Sequence, residues 1–574
     1  MVWQFAHRIP KKIRQALIKY NDFEAQLLFN RGIKTTKEAE KYFEPKLKDI
    51  VTAGTLPGVK KAAAIILKAV ASGKKIFIYG DYDVDGICST SVLFDFLYRK
   101  LKANVLPYIP DRFEEGYGLS ELGLEYILAE KGELVITVDC GIRDKKLVAE
   151  YSKKGLEFII TDHHNLSLDS KGKPELPSKA IAIVHPQIGK YDFPQICATA
   201  VVWKLVQVIG ELVGTKKELL ESHEYLDLVS LATVCDLMPL CGENRNIVFE
   251  GIMAIKNNNI NKGLLELIKH AKVEQNSCDS YHFGFMLGPR VNAAGRMDHA
   301  LNAVRLFTSN NPQQINTLAL KLNSLNIKRQ ELTEKMLKEA LVEALKQIDA
   351  QKKLLFVVKD GWSEGIVGLV AGRLNERFHL PVLVGSIKNG IVRGSARSIP
   401  GFDITSAISQ ADELLEKFGG HNQAAGFTLL EENLEAFIEK IQEVAMENLS
   451  AEMLLHCLIL ETELSGKDIN LEFVEKLEKF KPFGNGNKEP LFALKNISLS
   501  QAPILMGAKA QHIKFTAMTE DNILVEVIAF NQAEKYSAII DISKKYDCAG
   551  TLGINQWRGN KIIQLRLRDL VPVN

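Results

Sequence analysis

A chain of 574 residues is too long to fold around one core, and its length implies about three or four domains. Hydrophobic residues make up 46% and charged residues 25%, an ordinary globular balance, and 72 basic against 70 acidic residues leave a net charge of +2. Global basicity therefore advertises no nucleic acid, so any such site must be a local patch.

The eight cysteines form no C-x-x-C pair, which disfavours a disulfide framework or a zinc site. The start, Met1-Val2-Trp3-Gln4-Phe5, lacks an apolar leader core. The longest apolar run, Ala62–Ala71, is interrupted by Lys68 and is too short to span a bilayer. A cytoplasmic chain with no membrane partner is expected.

Residues 1–45 hold short amphipathic stretches, Arg14–Arg31 and Thr35–Tyr42, read as helical packing without chemistry. A helix over Gly58–Ala71 leads into Lys75–Tyr79, a predicted buried strand. Then come Gly80-Asp81-Tyr82-Asp83-Val84-Asp85-Gly86 and a helix over Ile87–Leu101, in which Val92, Leu93, Phe96 and Leu97 recur at helical spacing. Residues two apart in extended chain point the same way, so Asp81, Asp83 and Asp85 are expected to converge. Three carboxylates repel one another unless a cation sits among them, and hard oxygen ligands suit magnesium or manganese. Taken alone, a polar turn rich in Asp and Gly explains the stretch about as well.

Strands and helices then alternate: strands at Asn104–Tyr108, Leu134–Val138, Phe158–Thr161 and Ile181–Val184, helices at Leu119–Lys131 and Lys145–Lys154. This rhythm predicts a doubly wound, mostly parallel α/β sheet in a domain over residues 46–310. No G-x-G-x-x-G follows the first strand, which weakens a dinucleotide-binding reading. The second of these strands runs into Asp139-Cys140-Gly141 and the third into Asp162-His163-His164. The apolar segment Leu231–Cys235, read as a further strand, ends in Asp236. Open α/β sheets collect their ligands at this carboxyl edge. Four metal-type endings there outweigh the turn reading.

Asn311-Pro312 reads as the start of a helix running to about Ala350, and 39 residues would reach roughly 58 Å. A second α/β domain follows over residues 351–452. There Arg393, Ser395 and Arg397 share one face of a strand, and guanidinium forks match phosphate oxygens. The Gly419–Gly426 stretch is read as a glycine-rich loop beside them. From residue 453 short alternating strands predict a five-stranded barrel of the OB type. In it Phe515, Trp557, Lys514 and Arg558 are suited to stacking and contacting single-stranded bases.

Asp-x-Asp-x-Asp-Gly, Asp-Cys-Gly, Asp-His-His and Thr-Val-x-Asp arrive in an order that resembles the four motifs of the DHH phosphoesterase superfamily. Gly419-Gly420-His421-Asn422-Gln423-Ala424-Ala425-Gly426 resembles the signature of the DHHA1 domain that follows it. Pro289–Met297 and the helix carrying Leu322-Asn323, Asn326 and Arg329-Gln330 look like the RecJ branch, single-strand-specific 5′-to-3′ DNA exonucleases. Pro482-Phe483-Gly484-Asn485-Gly486-Asn487 resembles a further feature of that branch, with no role legible.

The resemblance implies that Asp83, Asp85, Asp139, His163 and Asp236 hold two divalent ions, with Asp139 as the bridge and Asp81 beside them as a further ligand or supporting group. It implies that Asp162 orients His163 and that His164 faces the scissile phosphate. Tyr79 stands where relatives place a His, which implies a first ion site that is more open or completed by water. Two ions roughly 3.5–4 Å apart can generate hydroxide and neutralise developing charge. The mixed carboxylate and imidazole set favours Mn2+ over Mg2+. Arg112, Arg290, Asn292, Arg296, Arg393, Ser395, Arg397 and His421 are the expected DNA-binding residues.

The expected function is a monomeric, metal-dependent 5′-to-3′ exonuclease that degrades single-stranded DNA to mononucleotides. The resemblance places it in repair and recombination, beside a single-strand-binding protein and a helicase. A DHH phosphodiesterase on short RNA or cyclic dinucleotides shares the metal set, but needs neither the barrel nor the Asn292–Arg296 segment. A silent replication scaffold would have lost ligands, and here every ligand position is filled.

Overall fold

The computed structural model describes residues 1–557 and 560–573. They gather into two compact units, one made chiefly of residues 289–302 and 317–457, the other of 3–288, 303–316 and 458 onward.

The larger unit is built on five parallel strands in the spatial order Val105–Tyr108, Ile76–Tyr79, Leu134–Val138, Glu157–Thr161, Ala182–Val184. The three central strands are buried along almost their whole length and mostly apolar because helices cover both faces. Phe77, Tyr79, Val135, Phe158 and Ile160 share one core with Leu124, Ile127, Val148 and Tyr151 of the helices Glu121–Ala129 and Lys145–Lys153. The alternate residues Ile76, Ile78, Leu134, Ile136 and Ile159 are equally buried, on the side met by the helices Val84–Asp95 and Ala198–Val213. From the Ile76–Tyr79 strand the chain goes first to one side and then to the other. That reversal opens a crevice at the carboxyl ends.

The same unit holds the barrel. Strands Phe492–Leu499, His512–Met518, Leu524–Ala529, Asn560–Pro572 and Lys545–Trp557 pair in that circular order, closed by Ser498 opposite Met518 and Leu499 opposite Ala517. The third and fifth strands in sequence run parallel, and the five expected strands form the OB-type closure. Phe515 is 2% exposed and belongs to the barrel core, so it does not offer a stacking face. Lys514 is ion-paired with Glu526. Arg558 and the side chain of Trp557 lie outside the described residues. The N-terminal segment packs into this barrel: Leu17, Ala25, Leu27, Leu28 and Ala39 share a core with Phe473, Phe480 and Phe492.

In the smaller unit a five-stranded mixed sheet has the order Lys417–His421, Ala424–Leu430, Ile391–Arg397, Val382–Lys388, Leu355–Asp360. The Gly419–Gly426 stretch is therefore not a loop; it is most of a β-hairpin, with Gly419 opposite Gly426. The helix Pro312–Asp349 has 38 residues and a length of about 57 Å. Its Met336, Ala340 and Ala344 pack against Leu355, Val357 and the helix Val367–Phe378. Among the described residues, no single helix is long and apolar enough to cross a membrane.

Candidate metal centre

At the crevice the chain leaves the Ile76–Tyr79 strand and turns almost at once into the helix Val84–Asp95, which starts earlier than its apolar spacing indicates. Asp83 is the reason. Its Oδ1 accepts the backbone N–H of Asp85 at 2.9 Å and of Gly86 at 3.1 Å, capping the helix. A Cβ on Gly86 would lie 2.5 Å from the backbone oxygen of Asp81, so only glycine lets the turn close this tightly.

The three aspartates consequently do not share one extended face. Asp81 and Asp83 gather with Asp139, while Asp85, in the first helical turn, gathers with His163 and Asp236; within each group the donor atoms lie within 4.8 Å of one another. Asp139 Oδ1 is also 3.2 Å from His163 Nε2, which puts Asp139 between the groups. Asp139 itself has φ +64°, and its carbonyl accepts the Tyr117 hydroxyl at 3.1 Å.

Asp236 reaches the cluster from a helix, not from a strand. The apolar run is ten residues long, Leu226–Cys235, and it is helical; Asp236 is its C-terminal cap residue. A buried apolar run has no face to alternate, so period alone does not separate strand from helix there. Asp85 is braced from the start of another helix: its oxygens accept the backbone N–H of Ala198 at 2.6 Å and Thr199 at 2.8 Å, and the Thr199 hydroxyl at 2.5 Å. No local pattern marks Ala198 or Thr199, which lie more than a hundred residues from Asp85 in sequence.

Asp162 is not bound to the His163 ring. Its Oδ1 lies 2.8 Å from Nδ1 of His164, and its Oδ2 accepts the backbone N–H of Ile142 at 3.0 Å. The Tyr117 hydroxyl is 3.0 Å from the same His164 nitrogen. Tyr79 points away from the centre. Its ring is buried against Tyr108, and its hydroxyl meets Ser120 and the Gly118 carbonyl. Arg112 lies over the ring of Tyr82, 4.7 Å from the centroid, which sets its charge above the aspartate turn.

Burial and mutual repulsion push Asp81, Asp83, Asp139 and Asp236 above the usual carboxylate range. Burial pulls His163 down, toward the neutral form that binds metals. In Asp162, burial is outweighed by the His164 bond and nearby imidazoles, and the group sits below the usual range. Asp81 Oδ1, Asp139 Oδ1, His163 Nε2 and Asp236 Oδ2 are buried with no hydrogen-bond partner. Four orphaned acceptor atoms aimed at one place are costly unless a cation satisfies them, and oxygen with imidazole nitrogen fits Mn2+ or Mg2+.

The other phosphate-type residues belong to the smaller unit. Arg393, Ser395 and Arg397 lie on an interior strand, flanked on both sides, rather than on an edge. Arg397 donates to the Ser395 hydroxyl at 2.9 Å, and Arg393 pairs with Glu364 at 3.0 Å. A Cβ on Gly368, at the start of the helix Val367–Phe378, would lie 3.0 Å from Ser395 Oγ and 3.2 Å from Arg397, so that helix terminus sits directly over both. Arg296 donates to the Gly365 carbonyl in the loop just before it, at 3.0 Å. Arg290 binds Asn323 at 3.0 Å, and Asn292 stands one turn from Arg296 on the helix Gly288–Met297. His421 is exposed on the hairpin. Glu364 and Gly368 carry no signal that the sequence alone makes legible.

Residues 75–233 match the DHH family, N-terminal domain; residues 351–447 match the DHHA1 domain; residues 460–569 match the RecJ OB domain. The chain is 36% identical to the single-stranded-DNA-specific exonuclease RecJ of Bacillus subtilis (strain 168), over 95% of this chain and 67% of that protein. It is 31% identical to the protein of the same name from Haemophilus influenzae, over 95% of each. The crystal structure of RecJ from Thermus thermophilus in complex with Mn2+ superposes with a TM-score of 0.81 at 27% identity, covering 99% of this chain and 79% of that one. Its complex with Mg2+ gives 0.78 at 26% identity, over 100% of this chain and 79% of that one.

Proposed function

The chain belongs to the RecJ family of single-stranded-DNA-specific exonucleases, and from that premise we propose that it hydrolyses single-stranded DNA from the 5′ end, releasing mononucleotides, at the centre around Asp139. The observation that carries this reading is the two neighbouring groups, one of three aspartates and one of two aspartates with His163, that come together at Asp139, with four buried acceptor atoms left unpartnered.

Asp81, Asp83 and Asp139 would hold one divalent ion, and Asp85, His163 and Asp236 a second, with Asp139 facing both. When bound, Mn2+ or Mg2+ supplies an activated water and neutralises charge on the phosphate oxygens. The protein's own share is positioning. Asp162 and Tyr117 fix the His164 ring, whose second nitrogen would donate a hydrogen bond to the scissile phosphate. As the water oxygen gives up a proton to solvent and bonds to phosphorus, the P–O3′ bond breaks and the 3′ oxygen of the terminal nucleotide takes up a proton from solvent, so that water is split across the bond with no other reactant.

Arg397, Ser395 and the overlying helix start would bind the terminal 5′ phosphate, a pairing of guanidinium, hydroxyl and helix N-terminus that suits an anion. Arg112, Arg290, Asn292, Arg296, Arg393 and His421 would contact the following backbone. Action as a monomer, alongside a single-strand-binding protein and a helicase, is part of the same proposal and rests on the family resemblance.

The test is degradation of long single-stranded DNA labelled at either end, with Mn2+, Mg2+ or chelator. Early mononucleotide release from the 5′ label, abolished by chelator and by Asp139→Ala, is the expected result. Release from the 3′ label first, or full activity in chelator, would overturn the proposal.

A further inference from the structure

The turn Pro482-Phe483-Gly484-Asn485-Gly486-Asn487 leads into the barrel and carries no chemistry of its own, yet Asn485 at its tip grips a single loop. The Asn485 side-chain amide donates to the carbonyl of Leu237 at 2.6 Å, and the Asn485 backbone oxygen accepts the N–H of Leu240 at 2.7 Å. These two bonds bracket the loop that begins immediately after Asp236. The two glycines make the approach possible. A Cβ on Gly484 would lie 2.7 Å from the Leu240 side chain, and one on Gly486, where φ is +69°, would lie 3.0 Å from Pro239.

The turn is itself rigidly seated. Asn487 donates to the carbonyls of Phe480 and Pro482 and accepts from Arg31 and Tyr42, and Gly484 and Asn487 pair across the turn. The loop it grips is also tied from inside, by the Asn244 side chain donating to the Pro239 carbonyl at 3.1 Å and by the Met238 N–H donating to the Thr233 carbonyl at 3.1 Å, while Leu237, with φ +54° and 71% exposed, has its carbonyl held by Asn485. Asp236 is held through its backbone by the last turn of its helix, while its Oδ2 has no hydrogen-bond partner. A ligand at a helix end, followed by a left-handed residue, keeps its direction only if the next residues are fixed.

We propose that Asn485 is a positioning residue for Asp236, so that the barrel's entry turn sets the second metal position from a segment 248 residues beyond Leu237. The inference rests on the reading of Asp236 as a metal holder. It gives the turn that enters the barrel a part in shaping the catalytic centre even without substrate.

The experiment is titration of the full-length protein with Mn2+ alone, by calorimetry and electron paramagnetic resonance, on wild type, Asp236→Asn, Asn485→Ala and Asn485→Asp. Melting temperatures are measured beside it. Asp236→Asn is expected to abolish one of the two classes of bound Mn2+, and both Asn485 variants to weaken that same class about tenfold, the range for groups that support a ligand. The nearly isosteric Asn485→Asp carries the test should Asn485→Ala fail to fold. Wild-type Mn2+ binding in both Asn485 variants, with or without a lower melting temperature, would overturn the inference while the loss in Asp236→Asn upholds the reading of the site. Wild-type binding in Asp236→Asn would overturn that reading and the inference with it.

Discussion

Asp162 grips the ring of His164, not that of its neighbour His163: Oδ1 lies 2.8 Å from the His164 Nδ1 and also accepts the backbone N–H of His163 at 2.7 Å and His164 at 3.1 Å. One carboxylate therefore sets both the ring of His164 and the backbone from which His163 projects. Removing its charge while keeping its shape separates these duties. Asp162→Asn is expected to lower kcat about ten- to a hundredfold by releasing His164. Mn2+ stoichiometry should stay unchanged, because no Asp162 oxygen is spent on the metal groups. Loss of bound Mn2+ in that variant would mean that Asp162 is itself a ligand.

The Arg397–Ser395 pair under the start of the helix Val367–Phe378 predicts selectivity for the DNA end. A hydrogen bond to a charged group contributes about 1.5–3 kcal/mol, which corresponds to roughly ten- to a hundredfold in binding. Arg397→Ala is expected to raise KM for 5′-phosphorylated single strands by that factor and to leave KM for 5′-hydroxyl strands nearly unchanged. Steady-state kinetics on the matched pair of substrates checks it. An equal rise on both would place Arg397 on the general backbone path.

What could be read in advance follows from how local the cause is. The strands ending at Tyr79, Val138 and Thr161 were legible because each is a contiguous apolar run stopped by Asp or Gly, and the barrel strands because they alternate. The helix ending at Cys235 was not, since a fully buried segment shows neither period. Asp83 illustrates a harder case: neither the turn pattern nor the spacing of the acids announces a helix cap, yet the same carboxylate caps a helix and lies in the acidic cluster. The grip of Thr199 on Asp85 and the docking of Leu27 and Leu28 into the barrel core are products of tertiary folding. Nothing near those residues in sequence announces them.

Lys204 and Glu243 form an ion pair 3.0 Å apart whose side chains are 0% and 1% exposed. Glu243 also accepts from Tyr191 and from the backbone of Val51, and Lys204 donates to the Val51 carbonyl, so the pair ties the segment before the first helix of the sheet domain to its core. Burial pulls the Lys204 ammonium down, and Glu243 supplies the opposing negative charge. Glu243→Gln, which strands that charge, is expected to cost about 3–5 kcal/mol in denaturant unfolding of this unit. The double variant Lys204→Met, Glu243→Gln should recover part of the loss. A single variant as stable as wild type would show that water reaches the lysine.

Asp227 carries a pH dependence of its own, away from the metal centre. It is 3% exposed, and burial pushes its carboxyl up to about 6 although it accepts the N–H groups of Leu228 and Asn261. An unfolded aspartate titrates near 3.9. Between those values the folded chain keeps a proton that the unfolded chain releases, so this residue's contribution is complete below about pH 4 and declines as pH rises through about 6. Two pKa units correspond to about 3 kcal/mol across the window. Asp227→Asn abolishes the titration while giving up one accepted hydrogen bond, because an amide nitrogen cannot accept from Asn261. The variant should be less stable than wild type at about pH 4 and should close that gap by about pH 7. Denaturant unfolding at both pH values, on both proteins, measures the difference in slope, and parallel slopes would mean that Asp227 is already ionised in the folded chain.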